Sequence, residues 1–368
     1  MPLQTSSSDN LVHSSASHSL DALVRDAVAN HLNIPVESVN VQPNKDKYHD
    51  PDRPEAALPE LREVFSLMSQ LNGFALDTPG VAANEVGYND FGTCLDRMID
   101  SLAAAFDGRT FRYVELGPEP NKTRRIIGGL IQRGVRIANY VAVDINPASS
   151  SKMREALDDL LPSNRIRVLR RDFQDLDASD VHDDDLPILA TTLGFQEGND
   201  HPTTAAAFFE HILRPGDLLL SEMQVATPNN DNRIEAFYRN PLMRRFSRLS
   251  RQHELPVEGT NYRFFLLPVS LGLSKPVKIA VMCEDDAGTV TGQARTVFVT
   301  NYCLKYTREQ FRQYRESNAR FEVLAEQVTG DDTVVFQLAR CLPMRHSSVD
   351  AHLSSAYLRS ARNEERHP

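Results

Sequence analysis

Acidic residues, a glycine and a phenylalanine stand where three short apolar segments of the chain end. The segment FRYVELG ends at Gly117, YVAVDI ends at Asp144 and Ile145, and a third runs into Asp172 and Phe173. A carboxylate at Asp144 can accept hydrogen bonds from ribose hydroxyls, Asp172 can accept one from the adenine amino group, and Phe173 can cover the adenine ring. Gly117 allows the backbone to approach a ligand closely. Each of these positions suits one part of S-adenosylmethionine (SAM), and together they predict a SAM-binding site.

Apolar strands and helices alternate along the part of the chain that carries these residues. Strands are predicted at 111–117, 140–145, 165–169, 187–193 and 217–223, and helices at 121–134, 150–161 and 203–213. This alternation favours a parallel sheet with helices on both faces, whose ligands bind beyond the carboxyl ends of the strands. The predicted fold is α/β, a doubly wound sheet that resembles class I SAM methyltransferases and ends in an antiparallel hairpin of residues 321–328 and 333–339.

The remaining segments divide the chain into further parts. An N-terminal helical cap is predicted, with a proline-rich loop at 42–59 between its helices. The predicted division is a cap at 1–109, a SAM-binding domain at 110–224 and 301–342, a β-rich insertion on the substrate side at 225–300, and a tail at 343–368.

A series of short motifs follows in order along the same stretch. They are E-L-G at 115–117, K-T at 122–123, V-D at 143–144, D-F at 172–173, L-G-F-Q-E-G-N at 193–199, L-R-P-G-D-L-L-L at 213–220 and C-L-K-Y-T at 303–307. These motifs resemble those of the histidine-specific SAM-dependent methyltransferases of ergothioneine-type pathways, over about residues 110–339. The resemblance implies SAM as the cofactor. It assigns cofactor binding to Glu115, Gly117, Lys122, Asp144, Ile145, Asp172, Phe173 and Leu193.

The resemblance is weaker in the half of the chain that would bind the substrate. The family's tyrosine-rich N-terminal motif has no counterpart, its acidic residue falls at Asn301, and its serine falls at Cys303. Asn199 matches a substrate-binding position and is expected to orient the acceptor, while Tyr238 falls where the family has a substrate-facing tyrosine. Asn199, Tyr238, Asn301 and Cys303 are therefore the candidate catalytic residues, with Tyr238 expected near the cationic sulfonium. Histidine is not the expected substrate.

Three functions are compatible with this pattern. The leading hypothesis is an enzyme that transfers the SAM methyl group to the amine of a small molecule or amino acid derivative. The second is a cyclase that converts SAM alone into azetidine-2-carboxylate and methylthioadenosine, for which the missing substrate residues would not matter. The third is a SAM-binding regulator without catalysis, which the complete set of ribose and adenine acids argues against.

The composition argues against several other classes of protein. A net charge of −10 over 368 residues does not suit a broad nucleic-acid surface. The start of the chain lacks the basic and apolar stretches of a signal peptide, and no segment approaches the roughly 18 apolar residues of a membrane span. The four cysteines form no C-x-x-C pair and the histidines show no H-x-x-x-H spacing, so no metal is predicted. We expect a cytoplasmic transferase of secondary metabolism with a small-molecule substrate and no nucleic-acid or membrane partner; the oligomeric state is left open.

Overall fold

The computed structural model describes residues 19–41, 58–77, 91–249, 260–272, 275–286, 296–317 and 320–343. The predicted loop at 42–59 and the predicted tail at 343–368 lie almost wholly outside these residues. None of the helices within the described ranges is both long enough and apolar enough to cross a membrane.

Strands and helices alternate through most of the described chain. The strands are β1 (Val39–Val41), β2 (Phe111–Leu116), β3 (Ile137–Val143), β4 (Ile166–Leu169), β5 (Ile188–Thr192), β6 (Leu218–Gln224), β7 (Thr260–Val269), β8 (Val277–Asp286), β9 (Val297–Lys305), β10 (Phe321–Val328) and β11 (Val334–Cys341). The helices are α1 (Leu20–Leu32), α2 (Leu58–Asp77), α3 (Phe91–Phe106), α4 (Pro120–Gln132), α5 (Pro147–Leu157), α6 (Ala178–Val181), α7 (Pro202–Ile212), α8 (Asp231–Tyr238), α9 (Pro241–Leu249) and α10 (Arg308–Ser317).

A seven-stranded sheet in the order β10-β11-β6-β5-β2-β3-β4 contains the predicted strands. Neighbours from β6 to β4 are parallel, whereas β11 runs antiparallel to both β6 and β10. The predicted doubly wound sheet with its C-terminal hairpin is thus confirmed. The strand order reverses between β2 and β5, and this places the ligand crevice beyond their carboxyl ends.

The three central strands are completely buried, although they carry several polar side chains. Every residue of β2, β5 and β6 is buried, because helices cover both faces of the sheet. On one face, α3 places Leu95, Met98, Ile99 and Leu102 against the sheet at helical spacing. The sheet edge that carries the predicted ligand residues is therefore held on a rigid layer.

Four strands form a second sheet in the order β1-β9-β8-β7. This sheet departs from the prediction for the N-terminal segment and from the predicted domain boundary at 301. The segment 1–109 is not all helical, because Val39 and Val41 alternate with exposed Asn40 and pair in parallel with β9. The predicted domain boundary at 301 falls inside β9, so Asn301 and Cys303 lie on this second sheet. The candidate substrate residues are thus carried by a different sheet from the candidate cofactor residues.

Candidate functional site

A cavity of about 360 Å³ opens beyond the carboxyl ends of β2, β3 and β5. Its wall continues onto β9 and onto helices α2, α8 and α9. The structure brings eleven of the twelve sequence-predicted site residues to this wall: Gly117, Lys122, Asp144, Ile145, Asp172, Phe173, Leu193, Asn199, Tyr238, Asn301 and Cys303.

Glu115 is the predicted residue that does not line the cavity. Its side chain is fully buried, and its Oε2 accepts hydrogen bonds from Thr123 Oγ1 and Tyr140 Oη, both at 2.7 Å. Burial is the main cause that raises the pKa of Glu115 to about 7. Glu115 therefore joins β2, β3 and α4 beneath the site instead of facing a ligand.

The turn between β2 and α4 requires a glycine at position 117. Gly117 has φ +64°, and a Cβ on it would lie 2.6 Å from Oε1 of Gln196. The next acidic residue, Glu119, caps α4: its carboxylate accepts from the backbone amides of Asn121 at 3.2 Å and Lys122 at 3.0 Å. A carboxylate thus occupies the amides that an anionic ligand would otherwise use.

Lys122 and Glu222 form a buried ion pair in the wall of the cavity. Lys122 Nζ lies 2.6 Å from Glu222 Oε2, and each side chain is 1% exposed. The backbone amide of Gly194 donates to the same carboxylate oxygen at 3.1 Å. The pair therefore fixes the start of α4, the middle of β6 and the end of β5 around one point. Sequence reasoning missed Glu222, although a lone acid within the buried strand LLLSEMQ is a signal.

Asp144 directly follows β3, where the ribose-binding carboxylate was predicted. Its Oδ1 accepts the backbone amide of Asn146 at 2.9 Å, and burial raises its pKa to about 6. Asn146 in turn caps α5 and donates from Nδ2 to the carbonyl of Leu61 at 2.6 Å. The loop after β3 is therefore tied to helix α2.

Helix α2 covers the cavity, a role that its sequence did not reveal. Ser69 Oγ donates to Glu119 Oε1 at 2.9 Å, and Asn121 Nδ2 donates to the Ser69 carbonyl at 3.0 Å. Phe65, Met68 and other side chains of this helix line the cavity. An amphipathic helix predicts only that one face is buried, and the partner of that face is set by the fold.

The chain after β5 enters the site through two consecutive left-handed residues. Gly194 has φ +72° and Phe195 has φ +64°, an unusual conformation for an aromatic residue. The short turn that follows, Gln196–Asn199, carries Asn199 to the cavity wall. The strained backbone thus serves to direct this turn into the site.

Buried polar contacts hold the same turn in place. Arg315 Nη2 lies 2.7 and 2.6 Å from the two carboxylate oxygens of Glu197, and Ser221 Oγ donates to Glu197 Oε2 at 2.8 Å. The next residue, Asp200, also lines the cavity, and burial together with Asp172 raises its pKa to about 6. Glu197 therefore anchors a turn that presents one amide and one carboxylate to the cavity.

Tyr238 lines the cavity, but its surroundings differ from the expected contact with a sulfonium. Its ring stacks on Phe264 at 5.0 Å, and Lys305 Nζ lies 5.1 Å from the ring centroid. Burial is the main cause that raises the pKa of Tyr238, and the neighbouring Cys303 acts in the same direction. The ring thus already has a stacked neighbour and a cation, which compete for the faces that a sulfonium would need.

Apolar side chains dominate the part of the cavity next to Cys303 and Tyr238. The aromatic and methionine side chains in this wall are Phe195, Phe237, Phe246, Met243 and Met282. Asp144 and Asp172, which follow β3 and β4, supply hydrogen-bond acceptors to the same cavity, and the ring of Phe173 also lines it. The chemistry of these residues fits a ligand with a polar adenosine part and a neighbouring second ligand with an apolar body.

Comparisons with known proteins find one matching family and several similar solved structures. Residues 93–248 match a family described as histidine-specific, SAM-dependent methyltransferases. Among solved structures, the chain is similar to a 1,6-didemethyltoxoflavin-N1-methyltransferase from Burkholderia thailandensis, with 12% identity, 76% of this chain and 88% of that chain covered, and a TM-score of 0.38. It is also similar to the CcbJ methyltransferase from Streptomyces caelestis, with 11% identity, 74% and 96% covered, and a TM-score of 0.38. No curated protein matches the chain.

Proposed function

We propose that this chain, whose residues 93–248 match a family described as histidine-specific, SAM-dependent methyltransferases, transfers the SAM methyl group to the amine of a small molecule or amino acid derivative. One observation carries the proposal. A single cavity joins Gly117 and Asp144, at the ends of two central strands, to Asn199, Asn301 and Cys303. The methyl donor and the methyl acceptor would thus share one enclosed space.

Residues at the strand ends would hold the cofactor. Asp144 would accept hydrogen bonds from the ribose hydroxyls, Asp172 would accept the adenine amino group, and Phe173 would cover the ring. The carboxylate of Glu119, which lies in the wall beside Gly117, suits a cationic amino group better than an anion. SAM supplies a methyl carbon that its sulfonium makes electrophilic.

The other end of the cavity would hold the acceptor. Asn301 stands where the resembling family has an acid, so this position carries no charge to hold a zwitterionic histidine. Phe195, Phe246 and Met282 line the wall around it and favour an acceptor with an apolar body. These side chains would position the amine and exclude water from it, the two contributions that an in-line displacement mainly needs.

The assignment of Asp144 can be tested by SAM affinity alone. Asp144→Ala is expected to weaken SAM binding by about 1.5–3 kcal/mol, roughly a 10- to 150-fold rise in Kd, because a charge-assisted hydrogen bond to ribose is lost. Asp185→Ala is the matched control, since this exposed acid lies in the loop before β5. Calorimetry on both variants would contradict the assignment if their affinities for SAM were equal.

The reaction itself is tested by identifying products. The protein is incubated with SAM alone and with mixtures of amines and amino acid derivatives, and the products are analysed by mass spectrometry. We expect S-adenosylhomocysteine to form only when an acceptor is present. Methylthioadenosine formed from SAM alone would instead mean cyclisation, and binding without any product would mean a regulator.

A further inference from the structure

A glutamine in the cavity wall has a side-chain amide without a hydrogen-bond partner. Gln224 is the last residue of β6, is 4% exposed and lines the cavity. Its Oε1 accepts no hydrogen bond from the residues that the structure describes, and its Nε2 donates none to them. Burying a polar group without a partner is costly, and most such groups in native proteins are paired. The amide of Gln224 is therefore available to a ligand of the cavity.

A second buried glutamine shows how the fold uses an amide that has a structural role. Gln337 of β11 is 0% exposed, and both ends of its amide are paired. Its Nε2 donates to Glu326 Oε1 at 2.9 Å, and its Oε1 accepts from Arg315 Nε at 3.2 Å. Gln224 has no comparable contact among the described residues, so hydrogen bonding within the fold does not account for a glutamine at position 224.

The strand order places Gln224 at the acceptor end of the cavity. Strand β6 lies two strands from β2 and three from β3, whose ends carry Gly117 and Asp144. Neighbouring strands are about 4.8 Å apart, so β6 runs roughly 10 Å from β2 and roughly 14 Å from β3. On its other side, Gln224 pairs with Val334 of β11, which also lines the cavity. The amide thus lies away from the residues predicted to bind ribose and adenine.

The charged residues that β6 and α8 contribute to the wall each have a partner. Glu222, two residues before Gln224 and therefore on the same face of β6, lies 2.6 Å from Lys122 Nζ. Arg233 of α8 donates to the carbonyl of Asp331 at 3.1 Å and lies 3.7 Å from its carboxylate. Because these charges are compensated within the protein, this part of the wall suits a neutral ligand.

We propose that Gln224 recognises the acceptor, and that its side-chain carbonyl accepts a hydrogen bond from an N–H of a neutral nitrogen carried on a flat, apolar body. The last torsion of a glutamine side chain is soft, so an amide without partners can turn its oxygen towards the ligand. The rings of Phe237 and Phe246 line the same cavity and suit such a body. The proposal rests on the proposed function, and it narrows the acceptor to a nitrogen that has at least one N–H and reacts in its neutral form.

The hydrogen bond to Gln224 also orients the nitrogen. It holds the N–H towards β6 and leaves the nitrogen lone pair free to attack the methyl carbon. The N–C bond forms as the S–C bond breaks, and the electron pair of the broken bond goes to the sulfur. The methylated nitrogen then releases a proton to the solvent.

Thermal unfolding without any ligand tests whether the amide is free. Gln224→Met removes the amide but keeps the length of the side chain, and we expect its Tm to be no lower than that of the wild type. Gln337→Met is the matched control and should lower the Tm by at least about 2 °C, because it leaves Arg315 and Glu326 without a partner. A loss in Gln224→Met as large as that in Gln337→Met would give the amide a structural role and overturn the proposal.

Fluorescence of indole tests recognition of an N–H. The chain contains no tryptophan, so light that tyrosine does not absorb excites the probe alone. Indole and 1-methylindole, which lacks the N–H, are titrated into the protein in the presence of S-adenosylhomocysteine. We expect the ratio of the Kd of 1-methylindole to that of indole to be at least about fivefold larger in the wild type than in Gln224→Met. The same ratio in both proteins, or binding of neither probe, would overturn the proposal.

Turnover supplies a readout that a structural role would not give. With an acceptor found by product analysis, Gln224→Met should raise the KM of the acceptor at least about fivefold and leave the KM of SAM unchanged. A rise in the KM of SAM alone would place Gln224 at the cofactor and overturn the proposal. If the wild type methylates no amine, the proposed function fails, while the Tm and indole measurements still decide whether Gln224 recognises an N–H.

Discussion

Replacing Lys122 with methionine is expected to destabilise the protein by about 3–5 kcal/mol, because the change leaves the carboxylate of Glu222 buried without its cation. Both side chains are 1% exposed, and the backbone amide of Gly194 would be left as a weak substitute partner. Chemical denaturation monitored by circular dichroism measures the free energy of unfolding. The exposed pair of Lys152 and Glu155 provides the control, where Lys152→Met should cost less than about 1 kcal/mol.

A double variant separates loss of the charge pair from loss of packing. In Lys122→Met/Glu222→Gln the buried charge is gone, while the amide oxygen at position 222 can still accept from Gly194. We expect it to recover a large part of the stability lost in Lys122→Met. If the double variant were no more stable than Lys122→Met, packing of the lysine stem would explain the loss, and the electrostatic account would be wrong.

The pH dependence of stability should carry a large contribution from Glu115. Burial raises its pKa in the folded protein from an ordinary value of 4.5 to about 7, so the folded state binds this proton more tightly than the unfolded chain does. Stability therefore falls as the pH rises through this window, by on the order of 3 kcal/mol in total, and the loss is complete above the folded pKa. Glu115→Gln, which is neutral at every pH, should lack this contribution.

The measurement is the free energy of unfolding of both proteins at several values of pH between 4.5 and 8. Asp144 and Asp200 also have raised pKa values, so both proteins should retain a slope of the same sign. The difference between the two curves gives the contribution of Glu115 to the pH dependence of stability. Parallel curves would show that Glu115 ionises as readily in the folded protein as in the unfolded chain. Glu322→Gln, an exposed change on β10, is the control and should run parallel to the wild type.

The main sheet could be predicted from the sequence because its signals are local. An apolar run such as residues 111–117, followed by a helical pattern, identifies a strand and its crossover without knowledge of distant residues. Asp144 and Asp172 could be placed at one edge for the same reason, since the carboxyl ends of parallel strands meet there. The pairing of β1 with β9 could not be predicted from the sequence. Strand β1 has only three residues, two of them apolar, and so short a segment shows too weak a strand pattern.

The second half of the site was decided by contacts between distant segments. Lys122 and Glu222 are 100 residues apart, and Arg245 of α9 pairs with Glu63 of α2 across 182 residues. No local pattern specifies which buried face meets which, because the hydrophobic effect is not directional. Only the tertiary structure showed that α2 covers the cavity.

The sequence by itself determined the fold class, the family motifs and the candidate residues at the strand ends, since each depends on the spacing of a few neighbouring residues. The tertiary structure decided what those residues touch. It turned Glu115 away from the cavity, surrounded Tyr238 with Phe264 and Lys305, and placed Cys303 between a buried amine and the cavity. Hydrogen bonds and ion pairs depend on distances of a few ångströms between side chains, and packing of the two sheets sets those distances.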